Sequence, residues 1–299
     1  MPRGLALALL ALAAPPAGAQ QDADTAFIPP IDTPTYPPGR GPVVVIDEGH
    51  ANFHTAGGRY RPFAELLRRD GYVVRGSANA LHPGGLDGVR VLVVANALGM
   101  VSDTTNTSGP AFTAAEVRRL RQWVEQGGAL FLIADHMPFP AAARPLAEAF
   151  GFEFTDGFAA GAGGDPGPIV FSRSAGTLRD HPILRGRTPA ERIDSVVSFT
   201  GQAFRGAGAT PLLVLGPDAV NLLPRKPWEF DSTTVRRSAA GWWQGAVKEV
   251  GRGRVVVFGE AAMFTAQLAG PGRAPVGMNH PSAAQNPRLL LNLFRWMAR

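Results

Sequence analysis

The sequence predicts an α/β fold, a doubly wound, flavodoxin-like and mostly parallel sheet with an inserted cap region. Three observations predict it. Short apolar runs at residues 43–46, 72–75, 91–95 and 129–134 have the length and branched content of strands buried on both faces. Several of the segments between them carry helical spacing. Strands alternating with helices imply a parallel sheet covered on both sides.

In chain order, the first element is a leader. Arg3 precedes an apolar Leu/Ala run, and Ala17-Gly18-Ala19 is the small-x-small pattern of a secretory cleavage site, so residues 1–19 read as a signal peptide cleaved after Ala19. The run is shorter than the roughly 20 residues a spanning helix needs, and Pro15-Pro16 follows it. No later segment reads as transmembrane, and a secreted or periplasmic bacterial location is expected. Residues 20–42 are proline-rich without helical period and read as an extended tether. The domain, residues 43–299, starts near Val43.

The clearest helix is "FTAAEVRRLRQWVEQGG". Thr113 and Glu116 have capping-box spacing, Val117, Leu120 and Val124 share a face, and Gly127-Gly128 ends it. Beyond "PLAEAFG" the pattern loosens, and residues 151–210 are expected to form an insertion over the sheet edge. "GWWQGAVKEVGRGRVVVFGE" reads as two strands around Gly251-Arg252-Gly253, and "NPRLLLNLFRWM" as a last helix with Asn286 and Pro287 as N-cap and first-turn residues.

Composition narrows function. At 45% hydrophobic the 299-residue chain has ample core. It has no cysteine, which removes disulfides, thiolate nucleophiles and lipid attachment near the leader. Of its 29 basic residues only Lys226 and Lys248 are lysines, and the arginines are scattered; "RRLRQ" suits a solvated helix face better than a nucleic-acid footprint. No nucleic-acid partner is expected. G-x-S-x-G, P-loop and H-E-x-x-H patterns are absent, and "GAGGDPG" has the wrong spacing for a dinucleotide.

In a doubly wound sheet, ligands sit outside the carboxyl ends of the strands. Polar residues follow several runs directly: Asp47, Glu48 and His50 after the first, Asn96 after the third, Asp135 and His136 after the fourth, and Glu260 after the last. Any one of them is explained by a turn or cap. Histidine beside carboxylate on two strands is not. Glu48, Asp135, His136 and Glu260 are therefore candidate catalytic residues; Asn96, His54, His181 and Asn279 are candidate ligand contacts; His50, His136 and Asp135 are candidate ligands for a divalent metal. The structural alternatives stand beside these: a cap-loop role for His136, a turn at Asp180-His181-Pro182, and core packing for Trp242-Trp243.

At "DEGHANFHTAGGRYRPFAELLRRDGY", "VVANAL", "WVEQGGALFLIADHMP" and "GEAAMFTAQ" the chain resembles a bacterial domain-of-unknown-function family in the class I glutamine amidotransferase-like superfamily, related to trehalose-utilisation-like and gliding-motility-type domains. The resemblance runs from about Val43 to the last helix. It implies a fold and a site location, but no reaction, because the thiolate that glutamine hydrolysis needs is missing. Two readings remain. One is a secreted hydrolase using metal or acid/base chemistry on a small polar, sugar-like substrate. The other is a non-catalytic module that binds a small polar ligand or a partner at the same rim.

Overall fold

The structure, a computed structural model, describes residues 21–99 and 109–299. The leader and its cleavage site lie outside the described residues. In chain order the elements that place the site are β1 (Val43–Asp47), α1 (Arg61–Arg69), β2 (Val73–Ser77), β3 (Val89–Ala95), α2 (Ala114–Glu125), β4 (Ala129–Ile133), α3 (Phe139–Ala149), β5 (Phe152–Phe154), β6 (Phe204–Gly206), β7 (Thr210–Val214), β8 (Trp243–Val250), β9 (Gly253–Phe258) and α4 (Asn286–Met297).

Nine strands make the central sheet in the order β2-β1-β3-β4-β9-β8-β6-β5, with β7 also on β8. β2, β1, β3, β4 and β9 are parallel. The remaining strands continue antiparallel, so the sheet is mixed around a parallel core. The reversal is local in origin: Gly251 at φ 59° turns β8 straight back into β9, and a tight hairpin cannot join parallel strands.

Alternate strand residues feed two cores. Val44, Ile46, Phe131 and Ile133 pack with Phe63 and Leu67 of α1 and Leu290 and Phe294 of α4. Val45, Leu92, Leu130 and Leu132 pack on the other face with Leu120 and Val124 of α2 and Leu146 of α3. Burial on both faces explains the continuous apolar runs. The Thr113–Glu116 capping box of α2 is formed reciprocally. Asn286 is not the N-cap of α4, which is Gln285; it is the first helical residue, and its amide clamps Val197 and Met263 backbone groups.

Two segments differ from expectation. Residues 21–42 are extended but docked: Gln21–Ala23 pairs with the strand Ala266–Ala269, Thr35 donates twice to buried Asp70 at 2.7 and 2.8 Å, and Tyr36 packs edge-on against Tyr72. Within residues 151–210, β5 and β6 join the sheet itself, because their Phe152, Phe154 and Phe204 are buried in its core. The rest forms a hairpin, Ile169–Ser172 with Ser195–Ser198, and part of a small sheet, Phe158–Ala160 with Val220–Leu223 and Val235–Ser238. Among the described residues no helix is long and apolar enough to cross a membrane.

Candidate functional site

Register brings the first pair together. β4 and β9 are adjacent and parallel, with Ile133 level with Phe258, so Asp135 and Glu260 leave the sheet side by side two residues later. Both are buried. Glu260 accepts backbone N–H groups from Ala262 and Met263, each at 2.7 Å, and so anchors the turn Ala262–Phe264. Asp135 accepts from the His136 N–H at 2.8 Å, while its own N–H donates to the Asn96 side chain at 2.9 Å. Asn96 takes a φ of 52°, a left-handed conformation that asparagine tolerates, and thereby turns its side chain across to β4.

Burial pushes the Glu260 carboxyl well above its usual range, and the Asp135 charge pushes it further; the backbone N–H groups around it do not offset this. Asp135 is also raised, by burial, against the pull of His136 and its hydrogen bonds. Both carboxyls therefore favour the protonated form at a higher pH than exposed ones do. Tyr60, which the sequence reading did not single out, belongs to the same cluster: its hydroxyl donates to the Ala261 carbonyl at 3.0 Å, and burial together with Glu260 and Asp135 raises its pKa.

His54 packs on the Tyr60 ring at 4.5 Å and is 3% exposed, yet among the described residues neither ring nitrogen has a partner. Burial, with the Arg59 charge nearby, lowers its pKa to about 3, so the imidazole is neutral.

His136 lies at the surface of the cluster. Its Nδ1 donates to the Met137 carbonyl at 2.7 Å. The ring stacks on Phe158 at 4.6 Å and meets Trp228 edge to face at 4.7 Å. Trp228 was also missed; it stands in a polar, proline-bearing loop, "PRKPWEFD", where no apolar period explains a tryptophan.

The other candidates separate from this cluster. Glu48 turns to the outer strand: it lies so close over Gly76 of β2 that no Cβ would fit there, and it accepts the Ala56 N–H at 2.8 Å. It staples the loop after β1. His50 is held between Asp47, at 2.8 Å from Nδ1, and Glu116 of α2, at 3.5 Å from Nε2. With both nitrogens facing carboxylates and His136 fixed on a carbonyl, the expected metal set His50, His136 and Asp135 does not converge. Among the described residues no group of three His, Cys, Asp or Glu side chains is placed to hold a metal ion.

His181 is at the opposite end of the sheet. It accepts the Ile183 N–H, caps the turn Pro182–Arg185 and faces Trp296, whose own ring lies under Arg254 at the start of β9. Asn279 donates to Asp24 and to the Gln267 carbonyl, tying down the N-terminal segment. Trp242 and Trp243 pack at the antiparallel edge against Arg205 and Phe204.

The His50 clamp carries a pH dependence. Burial opposes its charge, but the Asp47 bond and charge and then Glu116 outweigh it, and the pKa is raised. A raised folded pKa means that this contribution to stability is full below about 6.5 and is lost as pH rises through the folded value. The stability difference between the wild type and His50→Gln should therefore shrink from pH 6 to pH 9 in urea unfolding. A constant difference would mean that the imidazole titrates alike in the folded and unfolded chain.

No family model matches the sequence, and no curated protein matches it. Solved structures do match in shape. The mmIFT52 N-terminal domain superposes with a TM-score of 0.60 and 13% identity, over 86% of this chain and 97% of that one. The cytoplasmic protein STM3548 from Salmonella typhimurium gives 0.51 and 14%, over 86% and 99%. The cytoplasmic protein STM1381 from Salmonella typhimurium LT2 gives 0.51 and 12%, over 86% and 99%. Identities this low carry the fold alone. The chain shares the fold of these domains, an α/β architecture with a mixed sheet around a parallel core.

Proposed function

We propose that the chain is a non-catalytic binding module that takes a small polar ligand at the rim beside His136. One observation carries the reading: the carboxylates at the carboxyl ends of the strands are engaged by backbone N–H groups, Glu260 by two and Asp135 and Glu48 by one each. A general base or nucleophile needs a lone pair aimed at substrate. Here the acidic pair is buried and shapes the turns around it, while His136 stands half-buried beside it.

A hydrolytic reading keeps one observation in its favour, the placement of Asp135 and Glu260 side by side after adjacent strands, since neighbouring carboxyls serve as acid and base in other enzymes. Titration calorimetry against neutral sugars, sugar acids and polyols, with product analysis of every binder, separates the two. Saturable binding without turnover, lost in His136→Ala, is expected. Turnover abolished by Asp135→Asn would establish the hydrolase instead.

A further inference from the structure

Trp228 has three properties that packing alone does not explain. The residue is 55% exposed. Its backbone sits at φ 65°, a left-handed conformation that costs a bulky residue of order 1–3 kcal/mol and that clusters at ligand clamps. And it is steadied from one side by two rings, His136 at 4.7 Å and Phe158 at 4.9 Å, both edge to face. Phe230, itself partly exposed, braces Phe158 at 5.0 Å. A strained backbone thus holds a large apolar side chain beside the His136 ring.

The geometry selects among occupants. A cation enclosed between two ring faces needs them about 7 Å apart, two van der Waals contacts of about 3.5 Å. These rings touch one another, so no cage for a quaternary ammonium exists between them. An anionic membrane would want a basic loop. The residues around Trp228 cancel instead: Arg225 and Lys226 are matched by Glu229 and Asp231, and Lys226 pairs with Glu229 at 3.6 Å. A neutral ring with an apolar face and polar edges suits both the open indole and the adjacent imidazole nitrogen.

We infer that Trp228 is the stacking platform for a neutral pyranose sugar, and that the loop carrying it sets the specificity of the rim. The inference rests on the rim reading above and deepens it. The test is calorimetric titration of the protein with maltose, cellobiose and lactose, and separately with tetramethylammonium and anionic vesicles, on the wild type, Trp228→Ala, Trp228→Phe and His136→Ala. At least one disaccharide should bind. Trp228→Ala should weaken it by about tenfold or more, and Trp228→Phe should restore most of the loss. Equal sugar affinity in wild type and Trp228→Ala would overturn the platform and leave the rim reading standing. Loss in Trp228→Ala with none in His136→Ala would keep the platform and remove the rim. Absence of sugar binding, or Trp228-dependent binding of the ammonium ion or the vesicles, would overturn the inference.

Discussion

Glu260→Ala should destabilise the fold by about 3 kcal/mol at pH 5, because two buried backbone N–H groups, of Ala262 and Met263, lose their acceptor at once and each orphaned donor costs about 1–3 kcal/mol. The cost should fall with pH. Burial and the Asp135 charge raise the folded pKa of Glu260, so its protonated form is the one the fold favours. Its contribution is full below about 4.5, the unfolded value, and declines as pH rises through the folded value. At pH 8 the substitution also removes a charge that Asp135 repels, and the measured loss should be smaller. Asp135→Asn should act in the opposite sense, stabilising the protein more at pH 8 than at pH 5, since the amide keeps an acceptor for the His136 N–H. Urea unfolding of both variants at the two pH values checks this. An Asp135→Asn effect that does not change with pH would show that the carboxyls do not interact.

His54→Leu should stabilise the protein by about 1–3 kcal/mol at pH 7. The substitution nearly conserves volume, and it removes two ring nitrogens that are buried without partners among the described residues. The pH dependence again has a definite sign. A histidine pKa lowered to about 3 favours the neutral ring in the fold, so its contribution is full above about 6.5 and is lost as pH falls toward 3. The advantage of His54→Leu should therefore widen as the pH drops from 7 to 4. If the same variant loses ligand affinity, the unsatisfied ring is kept for binding at the expense of stability. A destabilising His54→Leu would mean that the imidazole has a partner in the folded protein, such as an internal water.

Much of this architecture is legible in the sequence because local physics sets it. The runs at β1, β3 and β4 are unbroken since both faces are buried, the Thr113–Glu116 box starts α2, and Gly251 forces the β8–β9 hairpin. The side-by-side placement of Asp135 and Glu260 was also legible, because each follows a strand that the parallel pattern aligns. What the sequence hides is direction. Glu48 follows β1 as directly as Asp135 follows β4, yet it turns to the outer edge because Gly76 leaves it room there. His50 is drawn to Glu116, a residue whose capping spacing accounts for only one of its two contacts. His181 and Asn279 lie in segments whose docking depends on Trp296 and on the N-terminal strand, contacts more than 100 residues away in the chain. Trp228 escaped because two aromatics in a polar loop have no period to mark them.

The central claim, that ligand is held at the rim by His136 and Trp228 without being turned over, is tested most directly by the position of a bound sugar. Crystals of the wild-type protein soaked with whichever disaccharide binds in solution should show an intact molecule with one ring face on the Trp228 indole and a hydroxyl within hydrogen-bond distance of His136 Nε2. Density for a cleaved product beside Asp135 and Glu260, or for an intact sugar away from both His136 and Trp228, would contradict it.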